Sequence, residues 1–179
     1  MLSLLPDFAD PLRLCSLGKV YEGTIPLADL PRLAPLLTST QGEAAFTLAF
    51  DMDAERRPVV RVKVSARLAL QCQRCLGEMT LDVDSDSLLA VVSGTDEAER
   101  LPDALDPLLV EDAKMELRSL IEDELILTIP SAPLHPAQDC KVKVEDVNAR
   151  SATAPAPREG EEHPFAALAA WKSDTQKRD

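Results

Sequence analysis

Residues 61–83, RVKVSARLALQCQRCLGEMTLDV, decide how this chain is read. Val62, Val64, Ala66, Leu68 and Leu70 continue an alternation begun at Val60, while Arg61, Lys63, Ser65, Arg67 and Gln71 occupy the positions between them. A period of two is that of a strand with one face on a core and one in water. Met79, Leu81 and Val83 resume the alternation after the cysteines. The stretch is therefore a hairpin, with Cys72 and Cys75 at its turn. Upstream, Phe46, Leu48, Phe50 and Met52 alternate in EAAFTLAFDMD, and AERRP supplies a turn; downstream, SLLAVVS reads as a further strand. Consecutive strands with short connections predict an antiparallel meander.

The period changes in LLVEDAKMELRSLIEDELILTIP, where Val110, Ala113, Leu117, Leu120, Ile121 and Leu125 recur at three and four. That spacing predicts one amphipathic helix, with Glu111 and Asp112 at its N-terminus. TDEAERLPDALDP, before it, is polar enough for a surface loop. In PLADLPRLAPLL, Leu30, Leu33, Leu36 and Leu37 have helical spacing, but Pro31 and Pro35 restrict it to short turns. The expected fold class is α+β: an antiparallel β meander or barrel-like sheet, one amphipathic helix and a disordered C-terminal tail. Residues 1–147 are expected to form one globular domain. Residues 148–163, rich in Ala, Pro and charge, form a flexible linker, and residues 164–179 a short amphipathic tail peptide.

Composition narrows the function. Of 179 residues, 45% are hydrophobic but only 3% aromatic, so the core must be built from Leu, Val, Ile and Ala. No apolar run approaches the ~20 residues of a membrane span, and Asp7 and Asp10 spoil the start as a secretory signal. A cytoplasmic protein is expected. The net charge of −12 argues against charge-driven binding to nucleic acid. The average hides a basic stretch, however: Arg56, Arg57, Arg61, Lys63, Arg67 and Arg74 stand against Glu55 alone before Cys75. From Glu78 to Glu124, fifteen acids face three bases.

A CxxC on a tight turn between strands has the form of a zinc knuckle, in which two thiolates supply half of a tetrahedral shell. HPAQDC, after the helix, offers His135 and Cys140 for the other half. Cys72, Cys75, His135 and Cys140 would then form a Cys3His zinc site clamping the hairpin tip to the loop after the helix. The plain alternative is two reduced thiols and a surface histidine. A redox dithiol lacks the helix that should follow the motif. A Cys/His nucleophile has only His135 and His163 to draw on, and with six glycines there is no phosphate-binding loop. Nothing marks an enzyme. Cys15, flanked by apolar residues, reads as core filler.

Two features could bind a partner. The basic strand face, Arg56 to Arg74, could contact phosphates, or it could be a solvated face paired with acids such as Asp82 and Asp84. Phe165, Leu168 and Trp171 recur at helical spacing beyond the linker and need a groove, on a partner or on the protein's own core.

DPLRL, YEGTIPLADLPRL, LQCQRCL, EDELILTIPSAPLHPAQDC and HPFAALAAWK, in this order from about Asp10 to Lys172, together resemble the YceD family of large ribosomal RNA subunit accumulation proteins. The family's cysteine pair falls on Cys72 and Cys75, its acidic helix end on Glu122, Asp123 and Glu124, and its later His and Cys on His135 and Cys140. The linker and the terminal SDTQKRD depart from the family pattern. The resemblance implies a non-catalytic role in synthesis, processing or stability of 23S rRNA, hence in large-subunit biogenesis. Combined with the acidic charge, it suggests a protein adaptor: an acidic helix or loop engages a ribosome assembly factor or ribosomal protein, the tail docks on a second partner, and rRNA contact is indirect. No membrane or small-molecule substrate is expected. The alternative from another class is a zinc- or thiol-dependent regulatory sensor.

Overall fold

The computed structural model describes residues 5–110 and 114–142. In chain order the elements are β1 (Phe8–Ala9), α1 (Pro11–Ser16), β2 (Val20–Pro26), β3 (Glu43–Met52), β4 (Pro58–Gln71), β5 (Glu78–Val92), α2 (Thr95–Ala98), β6 (Asp106–Leu109), β7 (Met115–Glu116) and α3 (Leu117–Thr128). Single 3-10 turns lie at Leu27–Asp29 and Ala34–Leu36. The main sheet runs β2-β3-β4-β5-β6. Its first four strands form the expected antiparallel meander, and β6 joins β5 in parallel. β1 and β7 pair apart from it. Among the described residues β2 and β6 are edges that do not close on each other.

The alternating pattern fixes the inner face. Phe46, Leu48 and Phe50 of β3 lie opposite Val64, Val62 and Val60 of β4, and all six are buried. Leu68 and Leu70 extend this face toward the hairpin tip. α3 covers it with Leu117, Leu120, Ile121 and Leu125, the helical stripe read from the sequence. Phe50 is the one aromatic among the largest fully buried side chains, and Tyr21 meets it edge-on with ring centroids 6.2 Å apart. The aliphatic core follows directly from the scarcity of aromatics.

α1 packs near β3 and β4, started by Pro11 and by the Asp10 carboxylate, which accepts from Arg13 N at 3.2 Å. The thiol of Cys15 donates to the Val59 carbonyl at 3.3 Å, and burial pushes it up to about 11. Cys15 is thus neutral core filler.

Three local expectations need correction. SLLAVVS is no separate strand, because β4 is long enough to pair continuously from Gln71↔Glu78 to Val59↔Ala90, leaving no room for a turn. The helix begins at Leu117 rather than near Val110. Asp106–Leu109 pairs with β5 instead, and Met115–Glu116 pairs with β1, so ladder hydrogen bonds override helical spacing there. Glu111, Asp112 and Ala113 lie outside the described residues. The acidic loop also contains one short helical turn, α2. In the proline-rich segment the turns are short as expected, with Leu27, Leu30 and Leu33 fully buried but Leu36 49% exposed. No helix among the described residues is long and apolar enough to cross a membrane.

Candidate metal centre

The centre is built at the tip of the β4–β5 hairpin. Six residues, Cys72 to Gly77, separate the strands. Cys72 N donates to the Gly77 carbonyl and Leu76 N to the Cys72 carbonyl, both at 2.9 Å. Closing so tight a loop puts Leu76 in the left-handed region at φ 57, unusual for a branched apolar side chain. Sequence reading missed this position, which carries no glycine to mark it. The loop after α3 is held against the tip by its backbone: Gln73 N donates to the Pro133 carbonyl at 2.8 Å.

That contact brings His135 and Cys140 to the cysteine pair. One donor atom from each of Cys72, Cys75, His135 and Cys140 lies within 4.8 Å of every other. A tetrahedral zinc–thiolate shell, with ~2.3 Å bonds, has sulfur–sulfur edges of about 3.8 Å, so only a small contraction separates this cluster from a metal shell. Cys72 and Cys140 are buried and Cys75 is half-buried. His135 Nδ1 lies 3.4 Å from Cys75 Sγ, and its Nε2 is 3.0 Å from the Glu78 carbonyl. A carbonyl only accepts, so Nε2 carries a proton, and Nδ1 is the ring atom that faces the sulfurs. A ligating histidine anchored through its other nitrogen has this arrangement.

Two of the thiols, Cys72 and Cys75, are shifted toward the thiolate. Burial alone raises Cys72, but amides of His135, Cys75 and Arg74 and the His135 ring outweigh it and bring the thiol down to about 5. The Gly77 amide leads in lowering Cys75 against the opposing effect of burial. His135 is raised, chiefly by its hydrogen bond with Cys72. Three cysteine sulfurs and one imidazole are the donor set of a closed structural zinc site.

The basic strand face has a different fate. Arg61 and Lys63 both pair with Asp86, at 2.6 and 3.1 Å, and Arg67 pairs with Asp82 at 2.6 Å. Asp82 faces Arg67 and Asp86 faces Lys63 across the ladder, whereas Asp84 lies opposite Ser65. The acids that pair with the face are therefore Asp82 and Asp86 rather than Asp82 and Asp84. Arg57 pairs with Asp53 and Glu55 in the preceding turn, where Arg56 takes a left-handed φ of 62. Arg74 lies at the hairpin tip.

Hydrogen bonds from Arg61, then Lys63, hold Asp86 down to about 2. An unfolded Asp titrates near ~3.9, so the stabilisation is complete above that pH and is lost as pH falls toward 2. Asp86→Asn should lower Tm at about pH 6 and converge with the unsubstituted protein near pH 2. A Tm difference that stays constant in thermal scans across that range would contradict the assignment.

The three helix acids are also committed. Glu122 accepts from the amides of Arg32 and Leu33 and from Arg32 Nε. Glu124 accepts from the hydroxyls of Ser85 and Ser87, both at 2.8 Å. Asp123 pairs with Arg32 at 2.8 Å. Sequence reading placed these acids at the acidic helix end through the family resemblance and did not single out Arg32. Phe165, Leu168 and Trp171, with the linker before them, lie outside the described residues.

Fold and site define a small α+β protein whose mostly antiparallel sheet carries a Cys3His cluster at one hairpin tip. Residues 60–172 match the family model described as "Large ribosomal RNA subunit accumulation protein YceD", and the chain belongs to the YceD family. It is similar to a protein of that name from Haemophilus influenzae (strain ATCC 51907 / DSM 11121 / KW20 / Rd), 29% identical over 143 residues, covering 79% of this chain and 82% of the relative. No solved structure matches it.

Proposed function

We propose that this chain is a non-catalytic factor that promotes accumulation of large-subunit ribosomal RNA, acting as a protein adaptor in large-subunit biogenesis in the cytoplasm. The observation that carries the reading is the family match over residues 60–172, which contains all four members of the Cys3His cluster. The cluster holds one structural zinc through Cys72, Cys75, His135 and Cys140. With four protein ligands it leaves no open position for substrate, in keeping with a role outside catalysis.

The adaptor reading is supported by where charge is left over. Arg61, Lys63 and Arg67 are paired with two of the protein's own aspartates, which offset most of their charge and weaken the strand face as a phosphate stripe. Glu122 and Glu124 turn inward and so cannot serve a partner. The exposed acids Asp96, Glu97, Glu99, Asp103 and Asp106, on and after α2, remain for a basic ribosomal protein or assembly factor. The tail around Phe165, Leu168 and Trp171 docks on a second partner in the helix-in-groove mode.

Depleting the protein from cells is expected to lower the ratio of 23S to 16S rRNA, with rescue by the unsubstituted gene but not by Cys72→Ser. An unchanged ratio on depletion would remove the ribosomal role. Purified protein should bind large-subunit rRNA only weakly at ~0.15 M salt. Tight binding without a protein partner would overturn the adaptor mechanism while leaving the role in accumulation intact.

A second reading, the thiol sensor, is favoured by the closeness of Cys72 and Cys75, both free thiols with sulfurs no more than 4.8 Å apart. Oxidation by a small disulfide would join their sulfurs with loss of two protons and two electrons. Metal-free purified protein with a readily cycling Cys72–Cys75 pair would put this reading first.

A further inference from the structure

We infer that β2 is a self-complementary edge through which two copies of this chain pair, antiparallel about Gly23, into one continuous sheet. Hydrogen bonds on its inner side fix which backbone groups remain. The Lys19 carbonyl accepts from Phe50 N, and Leu27 N donates to the Gly42 carbonyl, so both residues point toward β3. The register Val20↔Ala49 to Pro26↔Glu43 continues without interruption between them. Backbone direction alternates along an antiparallel strand, so Tyr21, Gly23 and Ile25 also point toward β3. Val20, Glu22, Thr24 and Pro26 point away, and no described element pairs with that side.

The outward edge thus offers the amides of Val20, Glu22 and Thr24 and the carbonyls of all four residues. Pro26 has no amide to offer. A second β2 placed antiparallel about a two-fold axis at Gly23 sets Glu22 against Thr24 of the second copy and Val20 against Pro26. In that register every outward amide of both copies finds a carbonyl, and the missing amide of Pro26 leaves only one Val20 carbonyl per copy without a donor. Shifting the axis to Glu22 would set the two Glu22 carboxylates directly opposite each other, and shifting it to Thr24 would leave the Val20 amides opposite residue 28, beyond the strand. On the outer face the apolar Val20, 49% exposed, meets the Pro26 ring; on the inner face Tyr21 meets Ile25. Such an isologous two-fold contact closes on itself and stops at the dimer.

The other edge is defended differently. β6 has four residues, starts at Asp106 and contains Pro107. β2 is longer, with seven residues, and although it too carries an acid, Glu22, and ends in Pro26, it has no lysine or arginine. Its one charge, Glu22, would lie diagonally across the axis from Glu22 of the second copy, a weak like-charge contact that tunes the dimer rather than forbidding it.

Light scattering and sedimentation of the full chain over a concentration series provide the test. The protein should move from one to two chain masses as concentration rises. Thr24→Pro removes an outward amide that the intrachain ladder does not use, so it should abolish the dimer while circular dichroism and Tm show the fold retained. Glu22→Gln removes the diagonal repulsion and should shift the midpoint to lower concentration. A chain that stays monomeric throughout, or a dimer indifferent to both substitutions, would overturn the inference. So would strong exchange protection of the Val20, Glu22 and Thr24 amides in a proven monomer, because a segment of the chain itself would then cover the edge.

Discussion

Cys72→Ser is expected to release one zinc per chain and lower Tm by roughly 10 °C or more. Cys72 is fully buried at the start of the turn, where it receives the His135 amide. Serine would bring a neutral hydroxyl with a shorter reach to a place where a thiolate is held by several donors. The remaining two sulfurs and the imidazole would still be anchored by Gln73 N on the Pro133 carbonyl, so damage should be local. Exchange at residues 130–142 should accelerate while β3 and the base of β4 stay protected, because Phe50, Val60 and Val62 owe their burial to the sheet and α3. A strong chelator should shift the unsubstituted protein to the same Tm and leave the variant unmoved. If the protein purifies without metal, or if the variant melts within about one or two degrees of it with its loop exchange unchanged, the zinc reading fails.

How far the sequence foretold the structure depended on where each interaction is made. β3, β4 and the first part of β5 were legible because an alternating apolar pattern is read off residue by residue, and burial of one sheet face enforces it. The lower part of α3 was legible for the same reason, through Leu117, Leu120, Ile121 and Leu125. Its beginning was not: Val110 fits the helical spacing, but the neighbouring segment has a long-range strand partner, which local periodicity cannot show. The Cys72, Cys75, His135 and Cys140 cluster could be assembled from two sequence pairs separated by sixty residues, since few donors of this chemistry exist in the chain. What lay beyond reach was backbone. The Glu78 carbonyl that orients His135 and the left-handed Leu76 that closes the turn leave no side-chain signature. Asp86 was not singled out because the alternating pattern leaves the hairpin register open, and a slip of two residues would put Asp84 opposite Lys63 instead.

The other large effect is expected at Glu122, and it separates two accounts of one ion pair. Glu122 is 4% exposed on α3, and its Oε1 accepts from Arg32 N at 2.6 Å and Leu33 N at 3.0 Å. Its Oε2 accepts from Arg32 Nε at 3.0 Å, while the guanidinium reaches on to Asp123 and the Ser119 carbonyl. An acid in contact with an arginine looks like a salt bridge first, but exposure assigns the energy elsewhere. The Arg32 side chain is 51% exposed, so the charge pair is screened and is worth at most ~1 kcal/mol. The two amides belong to the bend that carries the fully buried Leu30 and Leu33 into the core, and that bend has no capping side chain of its own. Hydrogen bonds to a charged acceptor contribute about 1.5–3 kcal/mol each, and a donor left buried without one costs a similar amount. Glu122→Ala should therefore destabilise by about 2–4 kcal/mol, with Arg32→Ala well below it. Glu122→Gln should fall between them, because a carboxamide oxygen can still accept from both amides while its NH2 confronts Arg32 Nε. Chemical denaturation of the three variants decides the matter. If Arg32→Ala costs as much as Glu122→Ala, the guanidinium is what ties α3 to the proline-rich turns. If the order is as expected, the carboxylate is a cap supplied in trans by one helix to a turn ninety residues earlier in the chain.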